Sequence, residues 1–140
     1  MTQFNTTTPA VAGKADLAAL ILRVSTGGLF IAHALMKIMV FTPAGTASYF
    51  ESLGLPGFLA YLTIAAELAG GALLILGVAT RWIALALAAE LLGAAVLGHG
   101  SNGFFFSNAG GGWEYPVFWA IVLVALSLLG NGAYALGRRD

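Results

Sequence analysis

The chain has 140 residues, 59% of them hydrophobic and only 9% charged, with a formal net charge of zero. A soluble domain carries about a quarter charged residues to wet its surface. These proportions, with a mean hydropathy of +0.90, therefore exclude an ordinary water-soluble globule and make hydrocarbon the solvent for most of the surface. Zero net charge gives no footing for nucleic acid. The absence of cysteine removes disulfides, thiolate metal sites, iron–sulfur clusters and cysteine nucleophiles.

Residues 1–15 form a polar, Thr-rich tail that is expected to be at most partly ordered. The tail lacks the apolar core and cleavage site of a signal peptide. Beyond it the sequence predicts an all-α polytopic membrane protein, a single four-helix domain over residues 16–140. A spanning helix needs about twenty mostly apolar residues at a rise of ~1.5 Å each, and four stretches qualify: about 17–41, 57–79, 82–98 and 116–136. Pro43 and Gly45, Gly54 and Pro56, then the Gly-rich run 98–112 and Pro116 punctuate them. Open sheets cannot satisfy their backbone in lipid, and there are too few segments for a barrel.

Orientation follows from the basic residues. Lys14, Arg81, Arg138 and Arg139 fall in regions that an even number of spans places on one side, whereas loops 42–56 and 98–115 contain no Lys or Arg. Both termini are thus expected in the cytoplasm.

Intramembrane ionisable residues are costly, and they face a bundle interior or a wet cavity. On the first span, Arg23, Thr26, Phe30, His33 and Lys37 share one helical stripe. Glu67 lies on the second span and Glu90 on the third. The fourth span carries no charge and is expected to face lipid or a partner. Counting from the cytoplasmic ends puts Arg23 at ~10 Å, Glu90 at ~12 Å and Glu67 at ~18 Å. This predicts an Arg23–Glu90 pair with Glu67 as a second acceptor, either as a structural clamp or as a proton-carrying, substrate-binding triad.

His33 and His99 lie at matched depth, ~25 Å from that end. Two such rings could ligate a haem or a metal, but no carboxylate stands at ligand spacing, so no metal site is assigned. A hydrogen-bonded interface His and a snorkelling Lys37 are the expected roles.

The segment GHGSNGFFFSNAGGGWEY, with Phe104, Phe105, Phe106, Trp113, Glu114 and Tyr115, reads as an aromatic belt or as a lid over a site for a flat apolar molecule. Tyr49, Phe50, Glu51 and the Leu53–Pro56 turn offer an opposite wall. Gly70, Gly71 and Gly93 are read as points of close helix packing. Gly27–Gly28 lies inside a membrane helix and is not a nucleotide loop.

Several linked motifs carry a family resemblance: LILRVSTGGLFIAHALMKI, YFESLGLPG, AELAGGALLILGVATRW, NGFF…GGGWEYP and GNGAYALGRR. In these the chain resembles the DoxX family of small four-helix membrane proteins, over nearly everything beyond residue 15. The resemblance implies a bacterial inner-membrane protein associated with quinone-dependent oxidoreduction. The family takes its name from a subunit of a terminal quinol oxidase, and relatives are associated with thiosulfate oxidation to quinone or with oxidative-stress complexes. Carried over by position, Arg23, His33, Lys37, Glu67, Arg81, Glu90 and Glu114 occupy the family's polar motif positions.

Three functions follow as expectations. The first is a quinone- or quinol-interacting subunit of a respiratory oxidoreductase, with no redox centre of its own and no covalent cofactor. Its candidate site residues are Arg23, His33, Lys37, Glu67, Glu90, His99, Phe105, Trp113 and Glu114. The second is a non-catalytic accessory or assembly subunit that docks on a larger membrane complex. The third is a small-solute transporter, which four helices without a repeat would form only by oligomerising. The expected partners are the bilayer and either other membrane proteins or further copies of the chain, without nucleic acid.

Overall fold

The computed structural model describes residues 12–137. Most of the polar tail lies outside these residues, as do Arg138 and Arg139. Five α-helices follow in chain order: α1 Lys14–Met39, α2 Pro43–Ser52, α3 Phe58–Leu76, α4 Thr80–Gly93 and α5 Glu114–Leu129. A π-helical turn, Ala94–Gly98, continues α4, and a 3-10 turn spans Gly100–Asn102. There is no strand among the described residues. α1, α3 and the continuous Thr80–Gly98 segment are each long and apolar enough to cross a membrane, while α5 is a shorter apolar helix.

α1 packs chiefly on α3 and α4 on α5, with α3 joining the two pairs. Glycine sets the α1–α3 crossing. A Cβ on Gly27 would stand 2.6 Å from the Gly71 carbonyl oxygen, and one on Gly71 would stand 2.7 Å from that of Gly27. Small residues admit this backbone-to-backbone approach, the means by which helices associate without a hydrophobic driving force in lipid. Gly70 makes room for the Leu87 side chain of α4, whose Cδ1 would lie 3.0 Å from a Cβ there. Gly93 does not pack as expected, because the space beside its Cα is open.

The core comprises Phe30, Leu74, Leu87, Trp119, Leu123 and Leu126, with alanines from α1 and α4 among them. The other faces of the same helices expose large apolar side chains, including Ile21, Leu62, Trp82, Val96, Phe118, Ile121 and Leu128. So continuous a covering fits hydrocarbon and is far beyond the patches a soluble monomer exposes. The fourth apolar helix is two-sided. Phe118, Ile121 and Leu128 of α5 face outward, as its lack of charge led one to expect, while Trp119, Ala120, Leu123, Leu126 and Ser127 are buried against the rest of the bundle.

Two segments read from sequence as loop or span take other forms. The loop after α1 contains α2, started by Pro43 at its first position and by the Thr42 hydroxyl, which accepts from Gly45 N at 3.1 Å. Proline suits a helix's first turn, where its missing N–H is not needed. Second, the last helix ends at Leu129 rather than near residue 136. Gly130 and Gly132 take positive φ, and residues 130–137 fold back across the ends of α1 and α3. Ala133 N donates to Asp16 O, Leu136 N to Leu76 O and Gly137 N to Gly77 O. Both ends of the described chain and the α3–α4 turn therefore share one end of the bundle, and the loop 98–113 and α2 occupy the other.

Candidate functional site

Arg23 lies at the end bearing the termini and is fully buried. Its guanidinium donates to Ile75 O at 3.2 Å, to Leu74 O at 3.5 Å and to Ala133 O at 2.6 Å. The expected Arg23–Glu90 pair does not form, because α1 side chains lean towards the helix N-terminus, which carries Arg23 away from Glu90. Arg23 instead bonds the last carbonyls of α3, Ile75 O and Leu74 O, the latter shared with Gly77 N, and ties them to the 130–137 segment. Gly77 is required beside it. Its φ of +70° closes the helix, and a Cβ there would collide with the Arg23 guanidinium and the Ala135 backbone.

The same lean brings Lys37 down onto Glu67. Lys37 Nζ donates to Oε1 at 2.7 Å and to Oε2 at 2.8 Å, with the two side chains 18% and 7% exposed. Lys37 therefore does not snorkel. It forms a charge-assisted, two-pronged contact where water is scarce. Thr46 of α2 donates to Thr42 O at 2.9 Å and to Lys37 O at 3.4 Å, which fastens α2 over this end of α1.

Above the pair lies a cavity of about 720 Å³, within the ~300–1,000 Å³ range of small-molecule sites. Its polar lining gathers Lys37, Glu67, Glu90, His33 and His99, and its walls are chiefly aromatic and aliphatic. Tyr49, Phe50, Leu53 and Leu55 form the α2 side, and Leu97 and Gly98 of the π-helical turn face them. The Tyr49 hydroxyl donates to Gly98 O at 3.4 Å across this roof. The π-helical turn adds a residue to α4 where the helix passes the cavity, a device common at functional sites.

Each histidine is anchored by one nitrogen. His33 Nδ1 lies 2.9 Å from Leu29 O, and His99 Nδ1 lies 2.9 Å from Gly111 O. A carbonyl only accepts, so each Nδ1 carries the hydrogen of that contact. Among the described residues no group of three His, Asp or Glu is arranged to hold a metal ion.

The aromatic loop closes on itself before it meets the cavity. Trp113 N donates to Gly103 O, Glu114 N to Phe104 O and Gly112 N to Phe105 O. Glu114 Oε1 accepts from Phe106 N at 2.8 Å. Phe106 and Tyr115 thereby turn to the cavity, while Phe104 and Trp113 stack edge-to-face on the other side, centroids 4.8 Å apart. Phe105 and Trp113 are absent from the cavity wall, and Glu114 secures the loop from outside it. Arg81 sits over the Trp82 ring at the far end of the bundle.

Sequence reasoning overlooked Trp119, whose ring joins both layers of the site. Its centroid lies 4.3 Å from Phe30, 5.2 Å from His33 and 5.8 Å from Tyr115. Its indole nitrogen is buried without a hydrogen-bond partner among the described residues. Three- and four-residue spacing from Tyr115 and Pro116 on α5 was the available signal.

Comparison with known proteins agrees with this architecture. The DoxX family model matches residues 18–100. The chain is 36% identical over 121 residues to the Bacillus subtilis (strain 168) protein named Putative oxidoreductase CatD, across 86% of this chain and 85% of that one. It is 33% identical over 128 residues to Inner membrane protein YqjF of Escherichia coli (strain K12), across 88% and 92% of the two chains. To Inner membrane protein YphA of the same organism it is 32% identical over 127 residues, across 86% and 88%. No solved structure matches the chain. The chain belongs to the DoxX family and is a multi-pass inner-membrane protein.

Proposed function

We propose that the cavity binds the ring of a quinone or quinol, and that the protein serves as the quinone-interacting subunit of a membrane oxidoreductase. The observation that carries this reading is the composition of the cavity wall. Phe106, Tyr115 and Trp119 offer faces for a flat ring, and Lys37, Glu67 and Glu90 are gathered at one side for its oxygens. Mostly apolar pockets with a few convergent polar groups are the usual form of small-molecule sites. The fit extends to Trp119, whose unpartnered N–H is a donor suited to a carbonyl oxygen. The residues offer no redox centre, so electrons would pass between the ligand and a protein partner. The name of the Bacillus subtilis relative, an oxidoreductase, points the same way.

In this reading α5 is the fourth crossing, short in itself at 16 residues and extended by the loop ahead of it. The end bearing Lys14 and Arg81 faces the cytoplasm by the positive-inside rule, so the cavity opens near the opposite surface. Phe41, Tyr49 and Leu97 line it and are about half exposed, which gives a lipid-soluble ligand an apolar way in.

The test is purification in mild detergent, solvent extraction and mass spectrometry of what elutes with the protein. A retained quinone at near-stoichiometric amount supports the reading. A stoichiometric membrane-protein partner with no quinone would instead favour an accessory subunit.

A further inference from the structure

Two carboxylates and one fixed cation line the cavity, and the cation is already committed, since both Lys37 hydrogen bonds go to Glu67. The Glu90 carboxylate has no hydrogen bond or ion pair to any described residue, yet it lines the cavity. Its level is fixed by the contact between Gly70 and Leu87. Glu67 and Glu90 each lie three residues from that contact towards the cavity, so they stand at the same height on neighbouring helices. An ionised carboxylate without a cation in an apolar cavity flanked by lipid costs several kcal/mol. One proton makes the group of Lys37, Glu67 and Glu90 neutral.

We infer that Glu90 exchanges a proton with a ring oxygen of the molecule held in the cavity, an inference that rests on the quinone reading above. The other titratable groups that face the cavity each have a hydrogen-bond or ring partner. On α1, Lys37 is paired with Glu67 and His33 Nδ1 is held by Leu29 O. On α2 the Tyr49 hydroxyl donates to Gly98 O, and on α3 Glu67 accepts from Lys37. His99 beyond α4, like His33, spends its Nδ1 hydrogen on a carbonyl. On α5 the Tyr115 ring packs between Phe106 and Trp119.

The exchange is a proton transfer with no electron moved. The carboxyl O–H bond of Glu90 breaks and an O–H bond forms on the oxygen of the reduced ring, leaving Glu90 as carboxylate. In the oxidising direction the quinol O–H breaks and the proton returns to Glu90. The two electrons pass between the ring and a reduced or oxidised flavin or iron centre of a partner protein. Two-electron reduction takes up two protons, so Glu90 regains a proton from bulk water at the cavity mouth, delivers it to the second ring oxygen, and is reprotonated once more; oxidation runs the same two transfers in reverse.

The test uses the full chain in lipid nanodiscs loaded with a short-tailed ubiquinone that is reduced electrochemically. Infrared difference spectra are recorded in time after the reducing step for wild type, Glu90→Gln and Glu90→Asp. Wild type is expected to lose a protonated-carboxyl band on reduction and to regain it as water returns the proton. At saturating quinone Glu90→Gln is expected to lack that signal, and Glu90→Asp, which keeps a carboxyl, is expected to show it at a shifted frequency. Retention of the band by a quinone-binding Glu90→Gln variant overturns the assignment of Glu90 alone. Failure of wild type to bind the quinone at all overturns the functional reading beneath it.

Discussion

Lys37 and Glu67 meet at 2.7 Å although they stand at different heights on their helices. From the Gly27–Gly71 crossing, Lys37 is ten residues up α1 and Glu67 four residues up α3, about 15 Å and 6 Å along the axes. The long stem of Lys37 leans towards the start of α1, and Glu67 leans towards the start of antiparallel α3. These opposed leans close the gap. Arg23 obeys the same rule: it too leans towards the start of α1, which carries it away from Glu90 to the carbonyls of Leu74, Ile75 and Ala133.

The pair is buried enough that its halves cannot be removed singly without cost. Lys37→Met is expected to destabilise the protein by about 3–5 kcal/mol, because Glu67 would be left uncompensated. Lys37→Met combined with Glu67→Leu is expected to recover most of that loss. Chemical unfolding in detergent, arranged as a double-mutant cycle, measures both. A double variant as unstable as the single one contradicts the account.

Two adjacent glycines should behave oppositely. Gly27→Ala places a Cβ 2.6 Å from the Gly71 carbonyl and forces α1 from α3, whereas Gly28→Ala meets nothing within 4 Å. The first is expected to lower stability by about 1–3 kcal/mol. The second is expected to be neutral or to stabilise by up to about 1 kcal/mol through helix propensity. Melting temperatures of the two variants check this.

Arg23 holds the end of the chain in place. Arg23→Met leaves Ile75 O and Ala133 O without that donor, at about 1–3 kcal/mol each where burial persists. The amides of Ala133, Leu136 and Gly137, which bond across to Asp16, Leu76 and Gly77, should then exchange at least about tenfold faster. Hydrogen exchange read by mass spectrometry tests this. Gly77→Ala is expected to give the same pattern because it strikes the same guanidinium.

The chain lacks cysteine, so single cysteines report orientation directly. Ser107→Cys in the aromatic loop is expected to react with a membrane-impermeant maleimide on spheroplasts. Leu136→Cys, exposed at the opposite end, is expected to react only after lysis. The reverse pattern would invert the proposed topology.

The all-helical plan and the three long apolar helices were legible because hydropathy and length speak for themselves. Pairing was not. Depth counted from span ends ignores that helices begin at different heights, and only the Gly27–Gly71 contact supplies a common level. α2 was obscured by Pro43 and Gly45, which serve in its first turn rather than as breakers. The 130–137 segment kept an apolar look in Ala133, Tyr134 and Leu136, and the positive φ of Gly130 and Gly132 is what ends the helix. Of three consecutive phenylalanines, Phe106 lines the cavity and Phe105 does not. Hydrogen bonds between the loop's two arms decide that choice, and no local pattern encodes it.

Gly93 gives the most direct test of whether the cavity is a ligand site. It lies one turn from Glu90 on α4, lines the cavity and has open space where a side chain would begin. Gly93→Leu should therefore fill the space without disturbing the fold. Titration with a short-tailed ubiquinone, followed by tryptophan fluorescence quenching, compares this variant with wild type at matched melting temperature. The account predicts saturable binding by wild type and its loss in Gly93→Leu. Equal binding by the two, or none by wild type, would contradict it.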